Sequence, residues 1–513
     1  MSPQRFRVTS VQLRLANNAT MTAKRTQKRV ERNRMGSRLG EPRPQHQNAV
    51  HPARQSLQRK YVKRSVESVL APRHTGVVGG ESLLKTSNKI AVGAGILLMG
   101  ASLLAMRSNS ADHSAARYAQ AHLRLASLST ESRRDVDYRL LDSRLRELMH
   151  KPAMVGLAVG VVENGRITFL QGYGETLAGS GDPVTPDTVF RWASCSKGLA
   201  ATMVAKLAQE GKIDLNAPVA DYAPDLKLPG GNERVATVGD LLSHRLGLYR
   251  DAYANKLEEG QDPGFLRTQL ATLNAVCAPG TCWEYQNVAY DASSEMVSRT
   301  THLPYEEAVK RYLFNPIGMS SGSVSMEGLE SNRSWARPHS AGKRPWPMVD
   351  TYYKVPGAAG INSNIKDMAL WMEAQMGEMP DVIDGKLLDT IHAPYVVTPG
   401  ERGRLRKFLE RVGTAWYGYG WRSYDYAGHR IIGHRGGIKG YRSLILFDPQ
   451  KKSGVVALWN SDTWQPGGLE FEIMDMIYHL PFRDWLELKT AAHPDTQTIA
   501  EADSETESGD GGR

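Results

Sequence analysis

Strand-like runs at the two ends of this chain, with helical pattern between them, constrain its fold more than any other feature. MVGLAVGVV (154–162) and RITFLQGYG (166–174) stand early and are separated by ENG. Asn-Gly between such runs is a strong hairpin signal, because the matching two-residue turn needs positive φ at both centres. HRIIGH (429–434), YRSLILF (441–447) and GVVALWN (454–460) return only near the other end. A helix is expected before the first run, where Val136, Leu140, Leu141, Leu145, Leu148 and Met149 repeat at helical spacing. Another is expected after the last, in LEFEIMDMIYHL (469–480). Residues 197–375 read mostly as helices broken by Gly/Pro-rich loops. The expected class is therefore α/β (α+β): one antiparallel sheet completed by distant segments, flanked by helices, with a mostly helical subdomain. No internal repeat is visible.

Charge divides the chain into different objects. Residues 1–89 hold 19 Lys/Arg against four acids, a net of +15, and the rest of the chain carries −5. The basic stretch has no sustained apolar period and reads as a disordered tail. Its first thirty residues, with seven basic side chains and no acid, also fit a mitochondrial presequence, and a true start further downstream is a third reading. Such charge attracts anionic lipid or nucleic acid, but no aromatic interleaving or folded nucleic-acid module supports more. Residues 90–106, IAVGAGILLMGASLLAM, run seventeen positions without a charge. That is the lower limit for a transmembrane anchor and slightly long for a signal-peptide core. Both readings send the downstream chain across a membrane, with 107–130 as linker and 131–487 as the folded domain. The domain is then expected in the cell envelope, on the periplasmic or outer side, or secreted after cleavage near Ser110. The local positive-inside count ties at three Lys/Arg on each flank, so only the wider basic tail favours an inside N-terminus. Residues 488–513 read as an acidic disordered tail.

Three cysteines exclude a disulfide scaffold. Cys277 and Cys282 bracket the Pro-Gly turn of CAPGTC, and a loop closed in an oxidising compartment and two unpaired thiols are equally open readings. Neither belongs to a metal-ligand pattern. No Gly-x-Ser-x-Gly elbow, Walker loop, dinucleotide glycine pattern or His-Glu-x-x-His occurs, so the sequence calls for no cofactor and no metal.

WASCSKGLAA (192–201) sets three candidate nucleophiles, Ser194, Cys195 and Ser196, beside Lys197. Residues three apart share a helix face, so Ser194 meets Lys197 while Cys195 and Ser196 point elsewhere. A serine hydroxyl needs a base. A lysine serves when burial and nearby positive charge bring its pKa down from about 10.4. A helix N-terminus at the serine adds N–H groups that favour negative charge. Spacing alone is a weak signal, since Ser82/Lys85, Ser340/Lys343 and Ser363/Lys366 match as well. Ser82 lies in the basic tail, Ser340 precedes a Gly-Lys-Arg-Pro loop, and Ser363 reads as the N-cap of NIKDMALWMEAQM. Only Ser194 opens an apolar helix, GLAATMVAKLAQEG, directly after VFRWA.

VFRWASCSKGLAATMVAKLAQEGKIDLNAPVADYAPDL resembles the nucleophile segment of the serine β-lactamase-related family. That family comprises class C β-lactamases, low-molecular-weight penicillin-binding proteins and family VIII esterases. LLSHRLGL (241–248), PGTCWEYQNVAY (279–290), LFNPIGM (313–319), GAAGINSNIKDMALWM (357–372), YGYGW (417–421) and GHRGGIKGYRS (433–443) are similar in the family's order. The resemblance spans roughly 131–485. It implies a β-lactamase/transpeptidase-like fold and a serine hydrolase working through an acyl-enzyme.

The family's Tyr-x-Asn motif is offered twice. Tyr253-Ala254-Asn255 sits in a charge-rich helical stretch, whereas Tyr285-Gln286-Asn287 follows a Pro-Gly turn and precedes Tyr290, as in the family. The resemblance assigns Tyr285 as a base that shares a proton with Lys197 and acts on Ser194, then on the deacylating water. It assigns Asn287 to hold Lys197 and a substrate carbonyl. The third motif reads His434-Arg435-Gly436, followed by Gly437, and is implied to line the pocket on an edge strand. The N–H of Gly437 would join that of Ser194 as the oxyanion hole, and His434 would add positive or hydrogen-bonding character. Arg435 stands where the family has the Thr or Ser that binds a penicillin carboxylate, and is itself a candidate to pair with one. His244 is read as packing rather than as a triad histidine. The expected activity is cleavage of esters, amides/D-amino-acid peptides or β-lactams, on a small molecule or peptide. The alternatives are a penicillin-binding DD-carboxypeptidase or true β-lactamase, and a catalytically silent binding or scaffold protein on the same fold.

Overall fold

Asn164 (φ 51°) and Gly165 (φ 73°) make the turn between β1 (Gly156–Glu163) and β2 (Arg166–Gly174), the hairpin that the ENG signal predicts. The computed structural model describes residues 134–488. The basic stretch 1–89, the apolar run 90–106, the linker 107–130 and, beyond Leu488, the acidic tail lie outside the described residues. Among the described residues no helix is long and apolar enough to cross a membrane.

The further strands are β3 (Phe190–Arg191), β4 (Asn362–Ser363), β5 (Val396–Val397), β6 (Val412–Tyr417), β7 (Arg422–Tyr426), β8 (His429–Ile438), β9 (Tyr441–Asp448) and β10 (Ser453–Trp459). Eight of the ten strands build one sheet in the order β2-β1-β10-β9-β8-β7-β6-β5, while β3 and β4 pair separately. All of its ladders are antiparallel, and the N-terminal hairpin docks on the last strand with Leu157 opposite Trp459. Distant segments therefore complete the sheet, as the run placement implies. Strands β5 to β7 are absent from the sequence reading, because VGTAWY and RSYDY are short and mix polar with aromatic residues.

Five helices frame the sheet and the site: α1 (Tyr138–Met149), α2 (Ser196–Gln209), α3 (Ala292–Thr301), α4 (Ile365–Gln375) and α5 (Leu469–Ile477). Every residue of β1 is buried, and the period of two sends alternate side chains into two cores. Leu157, Val159 and Val161 join Leu141, Leu145 and Leu148 of α1 and Phe471 and Ile473 of α5. Ala158 and Val162 face the other way, with Met203 of α2 and Met368 of α4. Each buried leucine contributes roughly 2 kcal/mol, and three in register fix the rotation of α1. Asp137 starts that helix by accepting the N–H groups of Arg139 and Leu140.

Helix α2 is buried over eleven of its fourteen residues. A helix that is apolar nearly all round belongs inside a domain, and α2 carries the nucleophile region there. The cap of α4 differs from the sequence reading. Asn364, not Ser363, accepts the Asp367 N–H. Ser363 instead lies in β4 and accepts the indole N–H of Trp192 at 2.8 Å.

Candidate active site

Ala193 takes a left-handed φ of 48° just before the nucleophile segment, a conformation that costs an alanine about 1–2 kcal/mol. Strain of this kind collects at functional turns. Ser194 follows, partly open to solvent, in a 3₁₀ turn that leads into α2. Its two rivals are committed elsewhere. Cys195 is buried, its thiol pushed up to about 12 by that burial, and it accepts the Ser443 hydroxyl at 3.2 Å. The Ser196 hydroxyl donates to the Ala193 carbonyl at 2.7 Å and accepts the Ile361 N–H at 3.1 Å. Of the three, Ser194 alone is partly open to solvent.

Lys197 has no measurable exposure. Its Nζ donates to Asn287 Oδ1 at 2.7 Å and to the Ala358 carbonyl at 3.0 Å. Burial, aided by the Arg422 charge and opposed by Asp251 and Asp291, brings its pKa from 10.5 to about 7. A free amine is thus abundant near neutral pH. With both hydrogens donated, its lone pair is left to accept a proton. Asn287 is held in turn, its Nδ2 donating to Asp251 at 3.2 Å, and the Tyr290 hydroxyl donates to the Lys197 carbonyl at 2.9 Å.

Tyr285 is buried, and its phenol is raised by that burial against the opposing hydrogen-bond influence of Ser194 and the charge of Arg422. Its hydroxyl stands beside Ser194 without completing a well-aligned hydrogen bond. Lys197 Nζ sits over the Tyr285 ring, 4.6 Å from its centroid, and spends its donors on Asn287 and Ala358. No hydrogen bond links the two groups, and burial favours the neutral form of each, lowering the Lys197 amine and raising the Tyr285 phenol. The competing pair is elsewhere: Tyr253 donates to or accepts from Thr272 at 3.0 Å.

The third motif lies within β8, which is not an edge strand of the sheet. Its ladder with β7 ends at Arg422 opposite Gly433, however, so residues 434–438 pair with β9 alone. Two-residue turns close both flanking hairpins, at Ala427-Gly428 and Lys439-Gly440. Alternation of hydrogen-bonded pairs from either turn turns the N–H groups of Arg435 and Gly437 toward that open edge. Gly436 faces the nucleophile. A Cβ there would fall 2.3 Å from the Trp192 carbonyl and 3.0 Å from the Ser194 amide nitrogen.

His434 is neutral rather than positive, since burial and the charges of Arg422 and Lys197 hold its pKa well below 6.5. Its hydrogen bonds assign the tautomers of a whole chain. The Gln286 N–H donates to His244 Nδ1 at 3.2 Å, so His244 Nε2 carries the proton and donates to the Tyr417 oxygen at 3.2 Å. The Tyr417 hydroxyl is then free to donate to His434 Nε2 at 3.2 Å, leaving His434 Nδ1–H for the Arg435 carbonyl at 2.8 Å. His244 is a packing residue, as expected, with its ring centroid 4.4 Å from Tyr285 and 4.9 Å from both Tyr290 and Tyr417.

Arg435 is not brought to the nucleophile, which corrects its place among the substrate-binding residues. The period of two points it to the opposite face, where it pairs with buried Glu470 and lies near Phe408 and Phe471. Cys277 and Cys282 form a disulfide that closes the small loop ahead of Tyr285. That loop packs on the segment carrying Asp251, with Val276 N–H on the Gly247 carbonyl and Gly280 N–H on that of Arg245. Asp251 and Arg422 are the functional neighbours that motif reading misses. Arg422 directly follows YGYGW, and a lone arginine in a short strand carries no signal of burial.

The family described as Beta-lactamase matches residues 141–473. The chain belongs to that family. Unguisins hydrolase ungD' of Aspergillus campestris is 27% identical over 343 residues, covering 64% of this chain and 62% of the relative. Unguisins hydrolase ungD of Aspergillus violaceofuscus is 26% identical over 359 residues, covering 64% and 63%. Protein flp of Staphylococcus aureus is 22% identical over 325 residues, covering 62% of each. The chain thus spans about three fifths of the length of these curated relatives. A solved structure, the octameric penicillin-binding protein homologue from Pyrococcus abyssi, matches with a TM-score of 0.60 at 24% identity, covering 67% of this chain and 78% of that one. That likeness shows the β-lactamase/transpeptidase-like fold.

Proposed function

We propose that the protein is a serine hydrolase that cleaves an ester or amide through an acyl-enzyme on Ser194. The observation that carries the reading is Lys197: a buried amine with a pKa near 7, fixed by Asn287 from a distant segment and three residues from a partly open serine. Lys197 takes the Ser194 proton as Oγ attacks the acyl carbon, and the N–H groups of Ser194 and Gly437 receive the oxyanion. The neutral Tyr285 phenol protonates the leaving group and becomes a phenolate, which then takes a proton from the deacylating water. Lys197 returns its proton to Ser194 Oγ as the acyl group leaves, so the cycle ends with all three groups as they began. Asn287 orients Lys197, and His434 supports the wall through Tyr417.

Arg435, paired with Glu470, offers no carboxylate contact at the nucleophile. This favours esters or amides over the carboxylate-ended ligands of a DD-carboxypeptidase or β-lactamase. The relatives named unguisins hydrolases and the linked Ser194, Lys197, Tyr285 and Asn287 set also favour a working enzyme over a silent scaffold. A fluorophosphonate probe should label the wild type and not Ser194→Ala, and equal labelling of both would overturn the mechanism. Nitrocefin turnover separates β-lactam from simple ester cleavage.

A further inference from the structure

One buried cation of the site has no part in the three motifs. Arg422 opens β7 beside the third-motif strand, opposite Gly433. Its guanidinium carbon lies 5.6 Å from the ring centroids of Tyr285 and Trp283 and 5.4 Å from that of Tyr417. Only 9% of its side chain reaches solvent, and an equally buried Glu401 holds Nη1 at 2.9 Å. A guanidinium resting on aromatic faces fixes the rings as well as itself, and it keeps its charge at any working pH. His434, on the neighbouring strand, is neutral, and Lys197 alternates between charged and free. Arg250 approaches the same Tyr285 ring at 5.5 Å, but it is one third exposed and tied to Asp251.

We infer that Arg422 is a positioning residue for acyl transfer: it clamps the Tyr285 ring beside Ser194 and holds the negative charge Tyr285 carries after protonating the leaving group. The inference rests on the acyl-enzyme reading above. In that cycle the phenolate exists only between leaving-group departure and water attack, so Arg422 acts where the leaving group needs a proton. Its charge also opposes a proton on Lys197. The other charged groups that bear on Lys197 and Tyr285 are Asp251, Asp291 and Arg250, with Glu401 balancing Arg422 from the Pro399–Arg404 helix. Neutral Tyr417, Tyr424, His244 and Cys195 complete the surroundings.

The test compares the wild type with Arg422→Met and with the double variant Arg422→Met/Glu401→Gln, which leaves no stranded carboxylate. Turnover is measured on a p-nitrophenyl ester, whose leaving group departs without a proton, and on the ethyl ester of the same acid, which needs one. The ethyl-ester kcat/KM is expected to fall about tenfold further than the p-nitrophenyl value. The ascending limb of the pH profile should move up by about one pH unit, because Lys197 loses a repelling neighbour. Arg422→Lys keeps the charge without the flat stack and should restore the limb but only part of the ethyl-ester rate. Equal losses on both esters with an unmoved limb, in a folded double variant, would overturn the inference, since a purely structural role gives that result. Failure of the underlying reading looks different: Ser194→Ala would still take the fluorophosphonate label.

Discussion

Replacing Lys197 with methionine tests the central physical claim, that folding drives a proton off this amine. The unfolded chain keeps Lys197 protonated up to its ordinary value of 10.5, whereas the folded protein releases that proton at about 7. Between those values folding expels one proton, so stability rises with pH by about 1.4 kcal/mol per unit if the unfolded chain is the reference that binds it. That sign is fixed by proton count: the unfolded state holds the proton and the folded state does not, so raising the pH penalises the folded state less. The methionine variant has no such proton. It also strands Asn287 Oδ1 and the Ala358 carbonyl, at about 1–3 kcal/mol each, but that loss does not change with pH. The difference in unfolding free energy, wild type minus Lys197→Met, should therefore climb by about 2 kcal/mol between about pH 7.5 and about pH 9. Urea unfolding at several pH values, under non-reducing conditions, reads the slope directly. A flat difference would mean that folded Lys197 stays protonated throughout, and a protonated amine is no base for Ser194.

The same amine should govern the rate of Ser194 labelling. Below pH 7 the labelling rate constant is expected to rise about tenfold per pH unit and to level off above it; a limb centred near the ordinary lysine value would refute the assignment. Gly436→Ala should cost about a hundredfold in kcat/KM, because its Cβ meets the Trp192 carbonyl at 2.3 Å and must push the nucleophile turn aside. Gly437→Ala meets no backbone, only side-chain atoms of Arg442 and Trp464 at 3.2 Å, so an equal loss there would argue against this steric account. Opening the Cys277–Cys282 loop with paired serines should lower stability by about 2 kcal/mol, as expected for so short a loop, which calorimetry would detect. Arg435→Ala should leave kcat/KM per folded molecule unchanged while lowering Tm, since it strands Glu470; a selective loss of activity would return Arg435 to the site.

Local pattern was enough for the parts of this protein that depend on neighbours in sequence. Short apolar runs marked β1, β2 and the cores of β8 to β10, and Asn164-Gly165 marked the first turn, because φ preferences are local. Three-residue spacing singled out Ser194 once its apolar helix distinguished it from the other Ser-x-x-Lys matches. Asn287 and Tyr285 were legible through their motif and its flanks. What pattern could not supply was the electrostatic environment, which sums over every group that packing brings near. Burial lowers the Lys197 amine and raises the Tyr285 phenol, Arg422 from β7 adds to the first shift and opposes the second, and Asp251 from a loop does the reverse. Register decides the rest: one strand of alternating faces sends His434 and Gly436 toward the nucleophile and turns Arg435 to Glu470 on the far side. A sequence names the residues of such a strand, but only its pairing in the sheet determines which of them the substrate can meet.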